Sequence, residues 1–141
     1  MNSFSQLTKT KKNYHIFVSH AWDYKDHYYT IEKWLKNNNI SFSNYSVPEH
    51  APLNAPTSTA LKNALDERIR LSSGIIVIAG MYVAYSEWIN YELESAHNFE
   101  KPIIGIIPRK QKRIPKKLQE YKKTIVGWNS NSLIDAIKEY C

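Results

Sequence analysis

Several residue types that simple enzymatic fingerprints need are scarce in this sequence. Cysteine occurs once, as Cys141 at the last position. One thiol makes no intramolecular disulfide, and at a frayed chain end it is a poor nucleophile; both points suit a cytoplasmic protein. The four glycines, Gly74, Gly80, Gly105 and Gly127, are spaced so that they form neither a GxGxxG turn nor a phosphate-cradling P-loop. Ordinary dinucleotide-binding and NTPase fingerprints are thereby excluded. The five histidines show no HxxxH spacing and have no cysteine companions, so no metal and no resident cofactor are expected. No apolar run approaches the ~20 residues that span a bilayer, and no membrane association is expected. The opening residues are polar, carry Lys9, Lys11 and Lys12, and lack the apolar centre of a secretory leader. They read as a flexible tail over 1–13, with one domain over 14–141.

What is present is ordinary for a globular chain. With 141 residues, 43% hydrophobic and 23% charged, there is room for one domain around one core. The net charge of +6 is partly local, because Arg109, Lys110, Lys112, Arg113, Lys116 and Lys117 crowd one segment. That segment is interrupted by Pro108 and Pro115 and has no interleaved aromatic residues of the kind that stack on bases. It reads as a solvated loop, and no nucleic-acid partner is expected.

Apolar runs alternate with helical patterns. Strand patterns fall at Tyr14–Ser19, Ile40–Tyr45, Gly74–Ala79, Pro102–Ile107 and, more weakly, Thr124–Val126. Helical stripes fall at His27–Asn37, closed by Asn37, Asn38 and Asn39, at Thr59–Leu71, from Ser86 to about Phe99, and around Leu133, Ile134, Ile137 and Tyr140. The stretch 46–57 holds Pro48, Pro52 and Pro56 and reads as an irregular loop. Strands alternating with helices imply an α/β fold, a flavodoxin-like three-layer arrangement whose five-stranded parallel sheet has the order 2-1-3-4-5. Such sheets bind ligands outside the carboxyl ends of the strands, at the switch point between strands 1 and 3. The residues there are Ser19 to Asp23 and Gly80 to Tyr82. Ser19, His20 and Asp23 are residue types of a hydrolytic triad, but neighbours in an extended segment point to opposite sides, which disfavours that chemistry.

On the helix after strand 3, Trp88 and Glu92 are four residues apart and share a face distinct from the Ile89, Leu93 and Ala96 stripe. Taken alone, the pair is compatible with a packed tryptophan and a solvated glutamate on an amphipathic helix. It is also a plausible holder for a cationic or aromatic group. The stretch Ile75 to Ala96, with Tyr82, Ser86, Trp88, Glu92 and Leu93 in that order, resembles the third strand and following helix of TIR domains. Tyr14 to His20 resembles the opening strand of the same family. The form Phe17-Val18-Ser19-His20-Ala21-Trp22 is similar to bacterial TIR-like proteins of Thoeris-type antiphage systems. The loop after strand 2, Asn44 to His50, departs from the acidic residue and Arg-Gly pair of many TIR domains.

The resemblance implies an NAD⁺-cleaving enzyme with NAD⁺ as substrate and Glu92 as its catalytic carboxylate. Ser19, His20, Trp22, Asp23, Tyr82, Ser86 and Trp88 are the expected substrate-binding residues. It further implies release of nicotinamide, an ADP-ribose-derived cyclic signal, TIR–TIR self-association and a downstream effector protein that senses the product. A non-catalytic TIR scaffold is the alternative. Glu87 and Glu94 fall off the motif, so their replacement by glutamine is expected to leave turnover near that of the parent, and Glu92 is expected to be a site-facing surface carboxylate of little consequence for stability.

Overall fold

The structure is a computed structural model that describes residues 13–19, 25–44, 58–79, 86–109 and 114–141. The strands are β1 (Asn13–Ser19), β2 (Ser41–Asn44), β3 (Gly74–Ile78), β4 (Ile103–Ile107) and β5 (Thr124–Gly127). The helices are α1 (Lys25–Asn37), α2 (Ser58–Leu71), α3 (Ser86–Asn98), α4 (Lys116–Tyr121) and α5 (Ser130–Tyr140). All neighbouring strands are parallel, in the order β2-β1-β3-β4-β5. This is the flavodoxin-like arrangement expected from the alternation of elements.

β3 and β4 are apolar throughout, and β1 is buried from Ile16 onward, because both faces of the central strands are covered. Helices α1 and α5 pack on each other over one face of the sheet, while α2, α3 and α4 pack side by side over the other. Ile75, Ile76, Val77 and Ile78 of β3 are fully buried. Four helices add stripes of their own: Ile31 and Leu35 from α1, Leu65 and Ile69 from α2, Ile89, Leu93 and Ala96 from α3, and Leu133 and Ile137 from α5. Burying a side chain of this size contributes about 1.5–3 kcal/mol. The two edge strands have only four residues each, which limits unpaired backbone at the sheet's margins.

Helix ends are closed by local chemistry. Beyond α1, Asn39 takes φ 56°. Its turn lets the Ile40 N–H donate to the Leu35 carbonyl. Beyond α3, Glu100 does the same at φ 57°, and the Lys101 N–H donates to Ala96. Asparagine tolerates this left-handed turn, which is why the asparagine run reads correctly as a stop. The start of α5 is set by Asn129, whose side chain accepts from the Ser132 N–H at 3.0 Å.

Two expectations are corrected. The basic segment is not loop throughout: Lys116 and Lys117 open α4. This helix is only six residues long and is anchored by Leu118 alone, which is fully buried, so no periodic stripe announces it. Cys141 is not frayed. Its N–H donates to the Ile137 carbonyl, and its side chain packs against the core at Gly74.

The glycines now acquire different meanings. A Cβ at Gly105 would meet Leu118 at 3.0 Å and Ile125 at 3.2 Å, so glycine in the Ile-Ile-Gly-Ile-Ile run makes room for α4. A Cβ at Gly127 would meet nothing within 4 Å, and its φ is not positive. Gly105→Ala is expected to cost about 1–3 kcal/mol through overpacking. Gly127→Ala is expected to stabilise by about 0.4–1 kcal/mol through the unfolded chain. Denaturant unfolding of the two variants should show these opposite signs.

Candidate functional site

Parallel register brings the site together. Ser19 is the last residue of β1 and pairs across the sheet with Val77, near the end of β3. Both strands therefore discharge at the same edge, and α3, which follows β3, covers that edge. From α3, Glu92 reaches Ser19: the Ser19 hydroxyl donates to Glu92 Oε1 at 3.0 Å. Ser19 is fully buried and Glu92 is 7% exposed. The contact spans 73 residues of sequence and joins the two segments that the sheet topology singles out.

Glu92 is thus not the surface carboxylate expected from sequence. Each residue turns a helix by about 100°, so Glu92 sits on the shoulder of the Ile89, Leu93 and Ala96 stripe rather than opposite it. Burial disfavours the charged form and raises its pKa from the ordinary 4.5 to about 8, while the Ser19 hydrogen bond pulls the other way. At neutral pH the resting side chain is mainly a neutral acid. A carboxyl perturbed by desolvation beside a strand end at the switch point marks a candidate functional position.

The other expected residues divide. His20, Trp22, Asp23 and Tyr82 lie outside the described residues. Ser86 and Trp88 occupy the first turn of α3, with side chains outside the described ones. Ser19 and Glu92 are the expected pair whose contact is visible.

Two clusters flanking Glu92 were missed by sequence reasoning. Asp66 of α2 accepts from the Tyr91 hydroxyl at 2.8 Å and from the Ser95 hydroxyl at 2.7 Å. Burial, and next the hydrogen bond to Asp66, push Tyr91 up to about 12. On the opposite flank Glu94 has partners of its own. It pairs with Lys117 of α4 and accepts from the Tyr121 hydroxyl at 3.1 Å. The Lys117 hydrogen bond draws the Glu94 carboxyl below its ordinary range. Tyr121 also stacks on His97, with ring centroids 4.0 Å apart and nearly parallel planes. Nothing in the spacing of Asp66, Glu94 or Lys117 signals these partners, because each pair joins two different helices.

The elevated carboxyl has a stability consequence. The folded chain holds the Glu92 proton more tightly than the unfolded chain does. This contribution is therefore full below about pH 4.5 and is lost as pH rises through about 8. Glu92→Gln keeps an oxygen that accepts from Ser19 but has no proton to lose. Its stability is expected to exceed that of the parent above about pH 8 and to lack the parent's decline across this window. The scale is a few kcal/mol, at about 1.4 kcal/mol per pKa unit. Chemical denaturation near pH 5 and near pH 8.5 checks it; a parallel decline in both proteins would assign the loss to other groups.

No curated protein matches the chain in sequence. Among solved structures, a 2-deoxyribosyltransferase from the psychrotolerant bacterium Bacillus psychrosaccharolyticus superposes with TM-score 0.61 at 13% identity, covering 84% of this chain and 89% of that one. The Clostridium botulinum CMP N-glycosidase superposes with TM-score 0.54 at 12% identity, covering 88% and 98%. At such identities the likeness establishes the fold alone. The family described as Thoeris protein ThsB, TIR-like domain, matches residues 17–113. That span runs from within β1, through Ser19 and Glu92, into the basic segment and covers well over half the sequence, so the chain belongs to the TIR-like domain family of the Thoeris antiphage-defence protein ThsB.

Proposed function

We propose that the chain cleaves NAD⁺ between nicotinamide and ribose, with Glu92 as the carboxylate that stabilises the ribosyl cation, and that it makes a cyclic ADP-ribose-derived signal in bacterial antiphage defence. The observation that carries this reading is the buried Ser19–Glu92 contact at the carboxyl end of β1. Membership of the TIR-like family supports it. The two structural neighbours are named for ribosyl transfer and N-glycosidic cleavage, the same class of bond.

The chemistry needs little from the protein. The pyridinium leaves as a neutral base, so no general acid has to protonate it, unlike the leaving group of ordinary glycoside hydrolysis. What must be stabilised is positive charge on the ribose carbon and ring oxygen, and a carboxylate in a water-poor site does this electrostatically. A neutral Glu92 at rest is compatible with that role. The cationic nicotinamide ring lies beside it on binding, and a neighbouring positive charge favours the ionised form. Ser19 holds the carboxyl in one orientation throughout. Trp22, Tyr82 and Trp88 are proposed as walls, with His20, Asp23 and Ser86 as further substrate contacts. Their exclusion of water directs the product, because admitted water gives linear ADP-ribose, whereas a group of the same molecule closes a ring. TIR–TIR self-association and an effector protein that senses the product complete the proposed pathway, and the isolated protein is expected to turn over slowly until it assembles.

The test is to incubate purified protein with NAD⁺ and resolve the products by mass and chromatography. Glu92→Gln is expected to lower turnover by about 10²-fold or more while remaining folded, and Glu87→Gln to leave it near that of the parent. Because kcat/KM reports the free enzyme, it should rise with pH and level off above about pH 8. Unchanged NAD⁺ consumption by a folded Glu92→Gln protein would overturn the reading in favour of a non-catalytic scaffold.

A further inference from the structure

We propose that Asp66 on α2 is a positioning residue for Glu92, fixing the rotation of α3 through its two hydrogen bonds to Tyr91 and Ser95. This rests on the reading of Glu92 as the catalytic carboxylate. Asp66 touches neither Ser19 nor any reacting atom; it acts through the helix that carries Glu92.

The geometry is specific. Asp66 Oδ2 accepts from Tyr91 and Oδ1 accepts from Ser95, so each carboxylate oxygen holds a different turn of α3. The two donors are four residues apart and bracket Glu92 in sequence. On a helical wheel Tyr91 and Ser95 share one face, with Glu92 about 60° beyond Ser95, between that face and the core stripe. Lys62, one turn before Asp66 on α2, places its ammonium 5.3 Å from the Tyr91 ring centroid and closes the outer side of the cluster. Apolar packing of Ile89, Leu93 and Ala96 presses α3 onto the sheet, but that force has no direction. A helix held by it alone can roll. Two hydrogen bonds to the two oxygens of one carboxylate are directional and resist rolling and sliding together. Glu94, bonded to Lys117 and Tyr121 of α4, braces the opposite flank. A roll of α3 would carry Glu92 away from Ser19, and a misplacement on the order of 1 Å costs about 10²-fold in rate.

The experiment compares the full chain with Asp66→Ala, Asp66→Asn and the double variant Tyr91→Phe/Ser95→Ala, well below their melting temperatures. Two readouts are taken: kcat and KM for NAD⁺, and the titration of the Glu92 carboxyl carbon by NMR. Asp66→Ala and the double variant should each lose about tenfold or more in kcat with KM little changed, as expected for a contact that matters in the transition state. In both, Glu92 should titrate well below about 8, because a rolled helix hydrates it. Asp66→Asn should restore both readouts, since its oxygen accepts from Ser95 and its amide donates to the Tyr91 oxygen. Folded Asp66→Ala with parental kcat and Glu92 titration would overturn the proposal. So would an unchanged double variant if Asp66→Ala does not fold, and so would an Asp66→Asn protein no better than Asp66→Ala. If the parent itself cleaves no NAD⁺, the reading of function fails, and the carbon titration alone decides the role of Asp66.

Discussion

The alignment of β1 with β3 is the constraint from which the rest follows. Four consecutive pairs, Ile16 with Gly74 through Ser19 with Val77, set how far each strand reaches toward the carboxyl edge of the sheet. A slip of one residue would turn Ser19 toward the other face, because side chains alternate along a strand. The alignment is enforced by the apolar residues of both strands over these pairs and by helices on both faces, which bury every one of these positions. The hydrogen bond of the Ser73 hydroxyl with the His15 N–H, at 2.9 Å, pins the other end of the same pair of strands. Everything at the site, including the meeting of two side chains 73 residues apart, is built on that alignment.

Between Tyr91 and Glu94, helix α3 carries three acidic or phenolic groups within about one turn, and their surroundings give them three different characters. Glu92 is buried with one hydroxyl partner and is pushed up. Glu94, nearer solvent and next to a lysine, is pushed down. Tyr91 is held as a donor by burial and by Asp66. Burial of a carboxyl works against stability, and a group kept at that cost is a candidate for a chemical role. Glu94 and Tyr91 do the opposite work, tying α3 to the neighbouring helices on either side. The strained group and its supports thus lie within one turn of each other.

Much of the fold was legible because its signals are local and strong. The uninterrupted Ile75–Ala79 and Ile103–Ile107 runs report strands buried on both faces, and the stripes of α1, α2, α3 and α5 report their inward sides. Order and parallelism followed from alternation. What escaped was non-local or brief. Helix α4 has one buried anchor, Leu118, and is recognisable only once Gly105 is seen to leave room for it. Cys141 looked like a loose end because nothing in the sequence shows that Gly74 lies beneath it. At the site, resemblance and topology selected Ser19 and Glu92, but the depth of Glu92 was misjudged. On a helical wheel it borders the core stripe, and whether such a shoulder position is wet or dry is settled by the neighbouring strand and helix. The Asp66 cluster and the Glu94–Lys117 pair join helices far apart in sequence, so no periodicity reports them.

An acid that is neutral at rest responds to the charge of whatever is placed next to it. Bringing a cation against Glu92 favours loss of its proton to solvent, and by reciprocity a rise in pH strengthens the hold on that cation. An uncharged ring of the same shape receives no such help and faces an acid that keeps its proton. For a nicotinamide dinucleotide, the oxidised ring is charged and the reduced ring is not. Under the proposed activity, the dry setting of a single carboxyl would supply a means of telling the two redox forms apart, with no contact dedicated to the difference.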